Sequence, residues 1–316
     1  MSIDHVLIVT TDPKSIFLEI LFKYFKSKKN ILSKKKVTLV GNLNIITKEA
    51  RKYNYKKKIN EVSNISESKI NLINIIDIKI NKKNKSKNYN AYISNSFNKS
   101  IAIIKNNKNI ALINGPINKK NFLKKKYLGV TEFLAKKTNA KNPVMLIYNK
   151  KISVSPITTH LPLKHVAKNI NKSVILNNII SINNFFKDKL GLRAKIAVLG
   201  LNPHCETNDK FSEEQKIIIP AINQLKKKKI FVHGPFSADT FFIKKNLYKF
   251  DVVVGMYHDQ VLTPLKTMFN FNAINITIGL PYIRISPDHG PNLEMYGKNK
   301  SDPASIFCAM EFLSKI

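Results

Sequence analysis

The stretch Val252–Lys266, VVVGMYHDQVLTPLK, decides the reading of the chain. It opens as a β-branched apolar run, the mark of a buried strand. It ends abruptly in Tyr257, His258, Asp259 and Gln260. Open α/β sheets take their ligands in the crevice beyond the carboxyl ends of their strands, so polar groups delivered there are candidates for a site. Two further segments repeat the pattern: Ile152–His160 (ISVSPITTH) and Lys195–His204 (KIAVLGLNPH). Three strand-like segments, each ending in a histidine, can bring three imidazoles to one crevice.

The flanking sequence supports a parallel α/β architecture. His5–Thr11 (HVLIVTT) and Lys36–Gly41 (KVTLVG) read as strands, with helical spacing over Ser15–Ser27 between them and a turn at Asp12-Pro13. Asn109–Asn114, Val144–Tyr148, Ile152–Ile157, Lys195–Leu201, Ile230–Val232 and Ala273–Ile278 are further strands. Helical spacing recurs over Tyr92–Ile104, Ser173–Phe186 and Glu213–Leu225, where Pro220 is expected to kink the helix. Thr131–Lys137 reads as a helix start, with Glu132 suited to the first turn. Asp302–Ile316 reads as a closing helix, with Ser301 as N-cap and Pro303 in the first turn. Residues 54–90, rich in Asn, Lys and Ser, read as an irregular excursion with one strand in the apolar patch Ile70–Ile80. No internal repeat is visible, and the alternation of strands and helices points to two α/β domains.

Composition narrows the function. The formal charge is +34, from 54 Lys+Arg against 20 Asp+Glu. Arg51, Arg193 and Arg284 are the only arginines, so 51 of the cations are lysines, spread along the chain among many Asn and Ile. Base reading and bidentate phosphate recognition favour arginine. The lysine excess therefore reads as AT-rich codon drift, with weak attraction for polyanions at low salt and no specific nucleic-acid function. Two cysteines, Cys205 and Cys308, exclude a disulfide scaffold and a cysteine-based zinc module, and fit a reducing cytoplasm. The sequence has no apolar run of membrane-spanning length and no signal peptide.

The candidate chemistry lies in the polar residues after the strands. Three imidazoles with an open coordination position can polarise an alcohol or carbonyl oxygen through a divalent metal. One histidine after a strand would read as a hydrogen-bonded cap; His160, His204 and His258 in the same setting favour metal binding. Asn275 stands inside an apolar strand, where an amide is costly unless paired. Lys266, Asn275, Arg284, Asp288 and His289 follow closely, and a lysine, an amide and an arginine together suit a phosphate or carboxylate. Arg284 falls in the loop PYIRISPDHG and is kept in a chain that has nearly eliminated arginine. Asp239, in GPFSADTFF, reads equally as a first-turn helix acid or a site residue. Cys205 reads as a small residue beside the site. No G-x-G-x-x-G and no P-loop occurs, so a dinucleotide would bind without the usual fingerprint.

These residues fall in stretches that resemble the PdxA family of pyridoxine biosynthesis. The stretches are NGPINK (Asn114–Lys119), GVTEF (Gly129–Phe133), TTHLPL (Thr158–Leu163), GLNPH (Gly200–His204), GPFSADT (Gly234–Thr240), MYHDQ (Met256–Gln260) and NITIGLPYIRISPDHG (Asn275–Gly290). They run in order across most of the chain, and the compositional drift suits a reduced-genome bacterial endosymbiont. The resemblance implies two α/β/α domains with a central cleft, like the isocitrate and isopropylmalate dehydrogenases. The domains expected are 1–125 plus 291–316, and 126–290. It implies NAD-dependent (NADP being possible) oxidation of 4-phosphooxy-L-threonine, with decarboxylation to 3-amino-2-oxopropyl phosphate. It further implies a cytoplasmic homodimer whose divalent metal (Zn2+, Mg2+ or Co2+) is held across the interface by His160, His204 and His258. Thr131, Lys266, Asn275 and Arg284 carry over as substrate-binding positions. Lys266 and Asp239 are the catalytic candidates, Lys266 suiting either proton transfer or anion binding.

Two departures from the pattern bear on activity. The family has histidine in G-H-T-E-F, where this chain has Val130, which cannot donate a hydrogen bond. The family's glycine-rich N-terminal loop appears here as Thr11–Glu19, TDPKSIFLE, with its glycines lost, so its backbone is expected to change. The segment after His204, CETNDKFSEE, is also without glycine. The alternatives are a related dehydrogenase that takes a different hydroxy-acid phosphate, a catalytically eroded relative, or a basic polyanion-binding protein.

Overall fold

The computed structural model covers the 316 residues and describes all but 1, 81–84, 108, 118–126, 128, 207–208, 244–246 and 288–289; for 85–88 it describes the backbone. Lys119, Asp288 and His289 thus lie outside the described residues. The chain divides into two compact units. The first comprises Met1–Asn139, Phe271–Ile274 and Leu280–Ile316; the second comprises Ala140–Asn270 and Asn275–Gly279. Thr131 and Arg284 therefore belong to the first unit, and the three candidate histidines to the second.

The first unit is built on strands β1 (His5–Val9), β2 (Lys36–Gly41), β3 (Ile59–Glu61), β4 (Ile73–Asp77), β5 (Ile110–Asn114) and β12 (Ile283–Pro287), in the order β3-β4-β2-β1-β5-β12. Every pair in this order is parallel. Helices α1 (Phe17–Lys26), α2 (Leu43–Lys52), α3 (Lys85–Lys105), α4 (Val130–Thr138) and α8 (Ala304–Lys315) belong to the same unit. Each residue of β1 is buried, as a parallel sheet covered on both faces requires. One core cluster joins Leu7 and Val9 of β1 and Val40 of β2 to Tyr92, Ile93, Phe97 and Ile101 of α3.

The second unit carries β6 (Val144–Tyr148), β7 (Ser153–Thr158), β8 (Ile196–Leu199), β9 (Val232–Phe236), β10 (Val252–Tyr257) and most of β11 (Ile274–Ile278), in the order β11-β6-β7-β10-β8-β9. β10 pairs in parallel with β7 and β8, and β8 with β9, while β6 and β7 form an antiparallel pair. Its longer helices are α5 (Lys172–Leu190), α6 (Ile219–Lys227) and α7 (His258–Phe269). No helix among the described residues is long and apolar enough to cross a membrane.

Several local features differ from the sequence reading. IRISP, read as loop, is strand β12, paired in parallel with β5 through Ile283, Arg284 and Ile285. Pro220 does not kink α6 from within. A π-helical turn, Glu214–Ile218, precedes α6 and absorbs the defect, since Pro220 has no N–H for the Lys216 carbonyl. Ser301 is not the cap of α8; Pro303 holds that place, and the Ala304 amide donates to Asp302 Oδ1 at 2.8 Å. Thr11 has a left-handed backbone at φ 50° despite its branched Cβ. Its buried Oγ1 donates to the Pro116 carbonyl at 2.8 Å, which holds it there.

Ser301 has a different task. Its amide donates to Glu19 Oε1 at 2.7 Å, and Lys23 Nζ reaches the same oxygen at 2.9 Å. Tyr53 Oη donates to Glu19 Oε2 at 3.3 Å. Glu19 is therefore a buried carboxylate that anchors the segment before α8 onto α1. Burial works to raise its pKa, but the hydrogen bonds from Lys23 and Ser301 and the Lys23 charge prevail, and the net shift is downward. A depressed folded-state pKa means this stabilisation is full above the unfolded-state value and is lost as pH falls through the folded-state one. Glu19→Gln should lower unfolding free energy by about 1–3 kcal/mol at neutral pH. The deficit should shrink below about pH 4. Urea unfolding at both pH values checks this, and an equal deficit at both would contradict it.

Candidate functional site

Strand register sets where the candidate histidines fall. In the second unit Tyr257 of β10 pairs with Thr158 of β7. His258 follows one residue later and His160 two residues later, so both leave the sheet at the carboxyl ends of adjacent parallel strands. Thr158 Oγ1 donates to the Met256 carbonyl at 2.8 Å, tying the two ends together. The rings of His160 and His258 stand 6.1 Å apart between centroids, tilted by 35°. With Thr159, Leu161, Tyr257 and Asp259 they line a pocket of about 150 Å³.

His258 opens helix α7, and its Nδ1 lies 2.6 Å from Asp259 Oδ1. A carboxylate on Nδ1 fixes the tautomer and leaves Nε2 as the nitrogen suited to a metal. Asp259 was legible as a polar neighbour but carried no sequence signal for this role, which depends on the helix starting at His258.

His204 arrives differently. β8 ends at Leu199, where Val198 is in register with Val254. The chain then leaves in a loop and a 3-10 turn, Pro203–Cys205, in which His204 itself has φ 54°. The side chain of His204 is 83 % exposed, with Nδ1 3.8 Å from Asp239 Oδ2. Among the described residues no three or more His, Cys, Asp or Glu side chains converge on one point within this chain. The structure thus brings together two of the three candidate ligands. A paired imidazole set facing one pocket, one ring backed by a carboxylate, fits part of a divalent-cation shell.

Asp239 lies in the first turn of the short helix Ala238–Phe241. Its Oδ1 accepts from Ser237 Oγ at 2.8 Å and from the Thr240 amide at 2.9 Å. The Ser237 bond is the main reason that its pKa is lowered, helped by the Thr240 amide and His204 against some desolvation. An ionised carboxylate beside His204 suits orienting that ring. Lys266 is exposed on α7. Asn275, on β11, keeps a buried Oδ1 that meets no hydrogen-bond donor among the described residues.

The first unit holds a second group. Arg284, 3 % exposed on β12, donates from Nε to Asn114 Oδ1 at 2.7 Å and from Nη1 toward Thr131 Oγ1 at 3.5 Å. Burial pushes its pKa down to about 10, opposed by Tyr282 and Glu132. It remains fully charged at neutral pH. Asn114 closes β5 and Thr131 opens α4, so two element ends and a strand interior meet at one guanidinium. Asn114 was quoted in a motif but given no role; its partner lies 170 residues away, beyond any local pattern.

Residues 33–313 match the family described as "Pyridoxal phosphate biosynthetic protein PdxA". The chain is 39% identical over 318 residues to the 4-hydroxythreonine-4-phosphate dehydrogenase of Sulfurihydrogenibium sp. (strain YO3AOP1), covering 95% of this chain and 94% of that one. It is 41% identical over 206 residues to that of Aquifex aeolicus (strain VF5), across 64% of this chain and 63% of the relative. A crystal structure of 4-hydroxythreonine-4-phosphate dehydrogenase from Klebsiella pneumoniae superposes with a TM-score of 0.83 at 27% identity, over 98% of both chains. An isocitrate dehydrogenase from Methylococcus capsulatus shares the fold at a TM-score of 0.52 and 10% identity, covering 99% of this chain and 85% of that one. With a profile match over most of its length and a relative this similar from end to end, the chain belongs to the PdxA family.

Proposed function

We propose that the protein is a cytoplasmic homodimer that oxidises 4-phosphooxy-L-threonine with NAD, and that the product loses CO2 to give 3-amino-2-oxopropyl phosphate. The observation that carries this reading is the His160–His258 pair at the carboxyl ends of β7 and β10, in a chain of this family. His160, His258 and His204 would hold a divalent cation, with a second copy of the chain completing the shell. When bound, the cation supplies a Lewis acid beside the substrate hydroxyl, lowering its pKa.

The chain's own residues do the rest. Arg284 and Thr131 offer donors to an anionic oxygen of the substrate, and Asn275 offers its amide. Asp259 holds the His258 ring in one orientation and Asp239 faces His204. Lys266 suits either proton transfer or anion binding. The oxidised substrate is a β-keto acid, so its carboxylate is lost without a further oxidant, the electron pair passing into the adjacent ketone.

NADH formation from 4-phosphooxy-L-threonine, with and without Mg2+, Zn2+ or Co2+, tests the reading. Metal-dependent NADH is expected from the parent. His258→Ala and His204→Ala should each lose more than about 100-fold, exceeding the 10–100-fold typical of outer-shell changes. Folded parent protein that makes no NADH with any of the three metals would overturn the proposal.

Val130 gives this site its own character. Its side chain packs against the apolar cluster of Phe97, Phe133 and Leu134 and offers no donor. The substrate is then held with one hydrogen bond fewer than a histidine there would give. Such a bond to a charged group contributes about 1.5–3 kcal/mol. Val130→His should therefore lower KM by at least about tenfold, with kcat changed less. An unchanged KM would mean that position 130 does not face the substrate.

A further inference from the structure

His204 and Cys205 occupy consecutive left-handed backbone positions, at φ 54° and φ 64°. Residues with a Cβ avoid this region, and a pair in succession persists only where the surroundings over-determine it. The surroundings here are two side chains from distant elements. Glu214, fully buried in the π-helical turn, accepts from the Leu201 amide at 2.7 Å and the Asn202 amide at 2.8 Å through Oε1. Its Oε2 accepts from Asn202 Nδ2 at 2.9 Å. Gln260, in the first turn of α7, spans the gap between strand ends. Its Nε2 donates to the Gly200 carbonyl at 2.8 Å, while its Oε1 accepts from the Met256 amide at 2.7 Å.

Two glycines make room for this arrangement. A Cβ at Gly200 would stand 2.9 Å from Cys205 Sγ and 3.0 Å from Glu214 Oε1. A Cβ at Gly255 would stand 2.5 Å from Val261 Cγ1 and 2.8 Å from Gln260 Oε1. Cys205 folds back over Gly200 and is buried as a result. The loop from Gly200 to Cys205 is thus gripped by Glu214 on one side and by Gln260 on the other. Gln260 sits two residues after His258.

We propose that Gln260 and Glu214 are positioning residues that fix the loop carrying His204 to the strand end carrying His258, and thereby set the relative placement of the two imidazoles. The part of this that concerns metal affinity rests on the function proposed above; the brace itself does not. The amide of Gln260 suits the task because it must donate to one strand end and accept from the other, which neither Glu nor Met can do.

Gln260→Glu and Gln260→Met test it, since both suit a first helical turn or its packing and should leave a cooperative thermal transition. Glu214→Gln, which turns an amide N–H toward Asn202 Nδ2, should act in the same direction. The first readout is alkylation of Cys205 by iodoacetamide, resolved from Cys308 by peptide mass spectrometry. Loss of the brace should speed Cys205 modification on the order of tenfold, by local opening, while Cys308 stays constant. The second is Co2+ affinity of the full chain, followed by the visible absorption of bound Co2+. It should weaken about tenfold or more in both Gln260 variants, so that added charge is not the cause. Unchanged Cys205 protection in both variants would overturn the proposal. So would faster Cys205 modification with undiminished Co2+ affinity, which would make the brace structural alone. Faster modification in a protein whose parent binds no Co2+ would uphold the brace and sink the metal reading instead.

Discussion

The parallel pairing of β10 with β7 and β8 is the constraint on which the second unit depends. In a parallel sheet all carboxyl ends face one way, so whatever follows each strand gathers at a single edge. Register decides how closely. Tyr257 opposite Thr158 brings His258 and His160 out almost level, and their rings come within 6.1 Å. β8 stops at Leu199 and its histidine is five residues further on, so His204 depends on a loop for its position. The same sheet therefore yields one pair that register alone places and a third residue that needs side chains to hold it.

Charge is managed differently inside and outside. The chain carries 51 lysines, and an exposed ammonium costs little because it stays hydrated and screened. Among the buried charged groups, Arg284, Glu19 and Glu214 each meet partners with defined directions. A guanidinium reaches Asn114 with Nε and Thr131 with Nη1 because its donors are fixed in one plane; a lysine has a single nitrogen to offer. Glu214 goes further, spending both oxygens on one loop. Compositional drift toward lysine can run freely wherever water completes the solvation, and it stops where the partner geometry is built from protein.

Much of the scaffold was legible because strands buried on both faces are short and continuous in their hydrophobicity. HVLIV, KVTLVG and VVVGMY each read correctly. What failed to read did so for identifiable reasons. α2, LNIITKEARK, starts directly after a strand and is diluted by polar residues, and its cap, Asn42 accepting from the Ile45 amide, resembles ordinary loop sequence. α7 is hidden because His258, Asp259 and Gln260 look like the polar end of a strand, and no apolar helical spacing stands out after them. β12 contains a charged residue that only a partner on β5 explains. The histidines stand out in the sequence because their spacing after strands is local. The Asp259, Gln260 and Glu214 contacts depend on which strand ends adjoin, or on where a helix begins, and neither is written in a local pattern.

The N-terminal loop holds a branched side chain in a left-handed backbone position. Thr11 stands at φ 50°, where a side chain costs roughly 1–2 kcal/mol. It is fully buried, and its hydroxyl donates to the Pro116 carbonyl, a bond that contributes about 1 kcal/mol. The two terms nearly cancel, which lets the loop hold a left-handed bend at Thr11. Thr11 also presses on a neighbour. A Cβ at Gly115 would lie 2.4 Å from Phe17 Cδ1 and 2.5 Å from Thr11 Oγ1, so that position admits no side chain. The absence of a side chain at Gly115 is thus demanded by two residues at once, Phe17 of α1 and Thr11 of the loop after β1, at the point where β1 and β5 end side by side.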